Sequence, residues 1–170
     1  MRSSNKMRIR IEGCVFCLCF LLTLGLPLGA AQPGYTRVEL TEVGTGRKIF
    51  SAVLKDGEQV ILTWKNSIYG HDVTEVFEAQ SGILVLTQMT VAGPPGSPLP
   101  RVSPEDVDDF YQTGEAFCAR GLAKPFQQVI YRISEIGKPR MKIGERVVDF
   151  KKEVGFGGGI VLKARSSGPE

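Results

Sequence analysis

The sequence predicts a mainly β protein: an antiparallel β-sandwich or partly open barrel with one short α-helix. Three observations predict it. Apolar residues recur with period two in several runs, β-branched residues are frequent inside those runs, and turn pairs such as Asp56-Gly57 and Ser81-Gly82 punctuate them. A single stretch carries helix signals instead.

Taken along the chain, Val38 and Leu40 alternate with Arg37 and Glu39, and Val60, Leu62 and Trp64 alternate with Gln59 and Thr63. Ile83, Val85, Thr87, Met89 and Val91 are expected on one face of a long run. Val129, Tyr131 and Ile133 form another face, and Ile160 and Leu162 a last one. The helix is expected at Ser103-Pro104-Glu105-Asp106. Ser103 can cap it, Pro104 suits the first turn, and the acids suit the positive end. Val107, Phe110 and Tyr111 then share a face, and Gly114 ends the element. The stretch Gly93-Pro94-Pro95-Gly96-Ser97-Pro98-Leu99-Pro100 cannot be a central strand, because its prolines lack donors; it predicts a stiff, extended surface loop.

Ahead of this pattern, Arg2, Lys6, Arg8 and Arg10 precede an apolar run from Cys14 to Leu26, followed by Pro27, Gly29, Ala30 and Ala31. Basic start, apolar middle and small-residue end are the parts of a secretory signal, with cleavage expected after Ala31. The alternative is an uncleaved leader that associates the protein with the membrane. Residues 1–31 thus read as a signal peptide and residues 32–170 as a single exported β-rich domain, placed in the periplasm or elsewhere outside the cytoplasm.

Of the 21 basic and 18 acidic residues, four basic and one acidic lie in the leader, so 17 of each remain. The exported part is neutral, and the overall charge of +3 is no argument for nucleic-acid binding. Cys14, Cys17 and Cys19 also lie in the leader. Cys118 is left alone, cannot form an internal disulfide, and is expected as a small buried side chain.

The run Trp64 to Phe77 holds the only Trp and the only His of the chain. A hairpin turning at Tyr69-Gly70 would set Leu62 opposite Phe77, Trp64 opposite Glu75, Asn66 opposite Val73 and Ser67 opposite Asp72. Leu62, Trp64, Asn66, Val73, Glu75 and Phe77 then share one side, apolar except for Asn66 and Glu75. A carboxylate there needs a donor or a cation, or its pKa rises. One reading is a satisfied structural pair, with Glu75 held by Asn66, a backbone amide or a basic side chain such as Arg132. The other is a pocket in which Trp64 supplies a wall and Glu75 and Asn66 supply polar recognition.

His71 is expected exposed at the turn, without a second His for a metal site and without the geometry for a triad with Ser67 and Asp72. Gly155-Phe156-Gly157-Gly158-Gly159 lacks the spacing of a phosphate cradle and leads into a strand, which predicts a bulge or close backbone approach. No cofactor and no metal are expected.

The segment from about Val60 to Gly96 resembles a family of small exported bacterial and archaeal proteins, the domain-of-unknown-function family eighteen-fifty. Its pattern is an aromatic residue, then His-Ser-Val, a short turn, a hydrophobic residue and Glu, then a strand and a Gly/Pro-rich stretch. The counterparts are Trp64, Asn66-Ser67-Ile68, Val73, Glu75, Leu84 to Val91 and Gly93-Pro94-Pro95. The family's His position is Asn66, so no role of that His carries over; Ser67 and Glu75 do. The resemblance implies a non-enzymatic accessory role beside TAXI-type TRAP solute transporters. The partner would be the transporter's membrane subunit or its TAXI-type solute-binding protein, and the binding residues Trp64, Asn66, Ser67 and Glu75. The competing functions are a metal-dependent hydrolase using Glu75 and a purely structural envelope protein.

Overall fold

The computed structural model describes residues 34–168; the leader and its expected cleavage site lie outside the described residues. The described chain runs β1 (Tyr35–Glu42), β2 (Lys48–Lys55), β3 (Gln59–Lys65), β4 (Asp72–Gln80), β5 (Ile83–Ala92) and β6 (Arg101–Val102). A 3-10 turn (Pro104–Asp106) then leads into α1 (Val107–Thr113). After it come β7 (Phe117–Phe126), β8 (Gln128–Arg132), β9 (Arg140–Ile143), β10 (Arg146–Asp149), α2 (Phe150–Val154) and β11 (Gly159–Ser167).

The strands form two sheets, a sandwich and not a closed barrel. One has the order β2-β1-β11-β8, the other β10-β9-β3-β4-β5-β7-β6. Every pairing is antiparallel except β6 with β7, which is parallel. Period-two patterning built most of this. Val38 and Leu40 of β1, Val60 and Leu62 of β3, and Ile160 and Leu162 of β11 all face the interior.

The long run of β5 departs from the single face expected for it. Phe77 pairs with Leu86 and Val76 with Gln88, so Thr87 is an extra residue, a β-bulge. The bulge flips the alternation. Leu84 and Leu86 point inward before it, and Met89 and Val91 point inward after it. Opposite the same level, β7 makes a longer excursion. Leu86 pairs with Lys124 and Gln88 with Arg120, which lets Gly121, Leu122 and Ala123 swing out of register.

Two apolar clusters result. The larger lies between the sheets, among them Leu40, Leu62, Phe77, Met141, Phe150 and Leu162. The smaller gathers Val73, Met89, Val91, Val102, Val107 and Phe117 beneath α1. Phe110 meets Phe117 edge to face at 6.1 Å.

α1 begins and ends close to the expected places, but Ser103 does not cap it. Its hydroxyl donates to Asp106 Oδ2 at 2.6 Å, and the first turn is 3-10. Gly114 closes the helix with φ 74°. A Cβ on Gly114 would stand 2.4 Å from the Tyr69 ring, so the loop before β4 rests on this glycine. The second short helix, α2, was not among the expected elements; Asp149 caps it by accepting from Lys152 N. The glycines after it serve close approach. A Cβ on Gly158 would lie 2.5 Å from the Val154 carbonyl oxygen. Residues 94–100 form the exposed loop expected of them. Cys118 is half-buried rather than buried; Thr90 Oγ1 donates to its sulfur at 3.7 Å.

Candidate functional site

The β3–β4 connection positions the site. Its register differs from the tight hairpin expected. Leu62 pairs with Glu75, Trp64 with Val73 and Lys65 with Asp72, leaving residues 66–71 as a longer loop. Asn66 is the cause. Its Oδ1 accepts from Ile68 N at 2.9 Å and Tyr69 N at 3.2 Å, and its backbone carbonyl accepts from Gly70 N at 2.8 Å. This coil around one side chain uses more residues than a two-residue turn. His71 is drawn in and half-buried, its carbonyl accepting from Asn66 N at 2.8 Å.

The shift is by two residues, so every side chain keeps its face. Along β4, Val73, Glu75 and Phe77 still point inward. Val73 belongs to the smaller cluster and Phe77 to the larger. Glu75 therefore sits at the seam between the two cores, and Trp64, packed against both, stands beside it.

Asn66 does not hold Glu75. Its Nδ2 donates to the Tyr111 hydroxyl at 3.2 Å, tying the loop to α1, and Tyr69 completes the tie by donating to the Gln112 carbonyl at 2.8 Å. Arg132 does not hold Glu75 either. It pairs with Gly159 across β8 and β11, its Nη1 lies 3.4 Å from where a Gly159 Cβ would stand, and among the described residues no ion pair joins it to Glu75, although both line the same cavity. Among the described residues Glu75 receives no hydrogen bond. Burial pushes its carboxyl up to about 7, with the Lys124 ammonium pulling the other way.

Two cavities open on Glu75. One of about 250 Å³ lies between β3, β4 and β8, lined by Leu62, Trp64, Ser67, Glu75, Tyr131 and Pro139 among others. The other, of about 570 Å³, runs beneath α1 and the β7 excursion, with Trp64, Glu75, Met89, Tyr111, Leu122 and Lys124 in its wall. Trp64 and Glu75 are common to both. The bulge at Thr87 and the excursion of β7 make this space, because neither strand closes over Glu75 as a regular ladder would.

Of the four expected binding residues, Trp64, Ser67 and Glu75 line the first cavity together. Asn66 does not line it, but lines a neighbouring hollow with Ile68, Tyr69 and Tyr111, which Trp64 and Ser67 also line. Two residues of the site were not singled out from the sequence. Tyr131 packs against Phe150 with the ring centroids 5.7 Å apart and the planes tilted by 52°, and its hydroxyl is buried without a hydrogen-bond partner. Burial, then the Glu75 charge, push its pKa up. Tyr111 is raised by burial and by Glu75 and lowered by its bond from Asn66. Both were legible as inward-facing positions of their elements, but not as neighbours of Glu75.

Among the described residues no three of His, Cys, Asp and Glu come together as a metal-ligating group, and no helix is long and apolar enough to cross a membrane. Comparison with family models, with curated proteins and with solved structures found no match.

Proposed function

We propose that this chain is an exported, non-enzymatic accessory domain of a TAXI-type TRAP solute transporter, and that it works through the cleft at Glu75 and Trp64. The observation that carries the reading is Glu75 itself. A carboxyl group in an apolar seam, open to two cavities and without a donor, costs folding free energy and stabilises nothing inside the chain. Groups kept in such a condition are poised for a contact from outside. The resemblance of Trp64, Ser67 and Glu75 to the family pattern supplies the transporter.

The test is co-purification from gently solubilised native membranes with a C-terminal tag. The reading expects a TRAP-type membrane subunit or its solute-binding protein to elute with the wild-type chain, and to be lost with Glu75→Ala at unchanged abundance. Elution of the protein without either partner overturns it.

A further inference from the structure

The gap at Glu75 is bounded on one side by the last strand of the smaller sheet. That sheet has the order β2-β1-β11-β8, so β8 has a neighbour on one side only. Three bonds give the phase of its ladder. Ala164 N donates to the Gln127 carbonyl at 2.9 Å, Ile133 N donates to the Gly158 carbonyl at 3.0 Å, and Gly157 N donates to the Ile133 carbonyl at 3.0 Å. Residues 127, 129, 131 and 133 therefore turn their backbone polar groups toward β11. Gln128, Ile130 and Arg132, in between, turn theirs to the open side, and among the described residues no other segment bonds to them there.

The open side is hollow. Ile130, Tyr131 and Arg132 all line the cavity of about 250 Å³. Successive side chains of a strand point to opposite faces, so three residues in a row border one cavity when it runs along the strand's edge. Beyond that edge lie Leu62, Trp64 and Glu75. The second cavity reaches the same Trp64 and Glu75 from beneath α1. The seven-stranded sheet is thus left uncovered between β8 and α1, where a fifth strand of the smaller sheet would lie. Sheets commonly guard their edges with Pro, Lys or a bulge. β8 has none of these; it reads Gln128-Val129-Ile130-Tyr131-Arg132, in even register, with Ile130 51% exposed.

Charge does not select what fills the gap. Lys65 and Arg132 line the first cavity together with Glu75, and the Lys124 ammonium acts on Glu75 from the second. A charged side chain of either sign would meet its like. An uncharged one would not, and the Tyr131 hydroxyl, buried without a partner, offers it a hydrogen bond.

We propose that the open edge of β8 docks an extended peptide segment of a partner protein, which adds as a fifth strand and sets one uncharged side chain over Trp64 and Glu75. The inference rests on the reading that the partner binds at this cleft, and adds how it is held. The backbone groups of Gln128, Ile130 and Arg132 supply the affinity, and the cavity supplies the choice of side chain. A second copy pairing through the same strand would bring inward side chains already packed in its own fold, Tyr131 on Phe150 among them, and would leave the space over Glu75 unfilled.

Short random linear peptides displayed on phage are selected on the purified full chain. Trp64 is the only tryptophan, so its fluorescence reports binding of the synthetic copies at the cleft. Extended sequences with an uncharged residue at the cavity position are expected. Methylating the peptide nitrogens that face β8 should weaken binding at least about tenfold, because each leaves a backbone acceptor unpaired, while methylating the alternate nitrogens should change it little. Ile130→Pro removes one outward N–H without touching the β11 ladder, and should abolish binding with the fold intact by circular dichroism. The methylated peptides probe the wild-type chain, so the answer does not depend on the folding of that variant. Binding that ignores the methylation pattern overturns strand addition. Selection of no peptide overturns the docking site for a partner's segment; a wild-type dimer lost with Ile130→Pro would then make the occupant a second copy. Retention of a TRAP-type subunit or its solute-binding protein by Ile130→Pro keeps the accessory role and removes this edge from it. Edge-dependent peptide binding without either partner keeps the edge and removes the transporter.

Discussion

The inner face of the seven-stranded sheet is closed in two ways, and the difference explains the site. Over Leu62, Phe77 and Leu86 it is closed by a second sheet, with α2 contributing Phe150 from the side. Over Val73, Met89 and Val91 it is closed by a seven-residue helix, with Val102 of β6, the edge strand of the same sheet, completing the cluster. The first cover is long, continuous and hydrogen-bonded along β1 and β11. The second is short and held down by a few contacts, Phe110 on Phe117 and the ties from Asn66 and Tyr69. Two covers of different build meet imperfectly, and Glu75 occupies the gap.

The strongest way to break this comparison is to cut each core in turn. Phe150 is fully buried in the larger core. Phe150→Ala should cost about 4 kcal/mol and lower the melting temperature of the whole chain. Val107 carries α1 onto the smaller core. Val107→Ala should cost about 2 kcal/mol, and hydrogen exchange should rise in α1 and β6 before it rises in β1 and β11. Uniform loss of protection in both variants would show that the two covers act as one unit.

The seam itself gives the next effect. Glu75 has a folded-state pKa raised above the ordinary carboxylate value, to about 7. The folded state therefore holds its proton more tightly than the unfolded state does. The stability linked to this group is fully present below the unfolded value and is lost as pH rises through about 7. Solvent reaching the half-buried carboxyl tempers the loss to about 2 kcal/mol. Glu75→Gln removes it, so the variant should melt higher than wild type at pH 8.5 and match it near pH 4. A variant whose melting temperature tracks wild type across that range would mean that Glu75 is not at a desolvated seam.

How much of this could be read in the sequence depended on whether the information was local. The inward facing of Trp64 and Glu75 was legible because period two survives a register shift of two residues. The shift itself was not, because it follows from the Asn66 side chain accepting two amides, and Asn66 was expected opposite Val73 within the ladder instead. β7 reads Phe117-Cys118-Ala119-Arg120-Gly121-Leu122-Ala123-Lys124-Pro125-Phe126. Its Gly, Pro and charges hide the alternation, since the strand is interrupted where it swings past Glu75. β9 and β10, four residues each, are too short to show a period. Tyr131 and Tyr111 came to the site from 56 and 36 residues beyond Glu75 in the chain, by pairings that no local pattern encodes.

The smallest expected effect tests how the short cover is held. The bond from Asn66 Nδ2 to the Tyr111 hydroxyl, at 3.2 Å, joins the β3–β4 loop to α1. Asn66→Ala removes this bond and the two amide contacts of the loop, and should cost about 2 kcal/mol; Tyr111→Phe removes only the bond and should cost about 1 kcal/mol. If the bond is what couples them, the double variant should be less destabilised than the sum, by about 0.5–1 kcal/mol in chemical denaturation. Additivity would instead mean that α1 is held over the smaller core by Val107 and Phe110 alone. The Asn66 amide would then serve the loop and not the helix, and the gap beside Glu75 would owe its width to packing rather than to this tie.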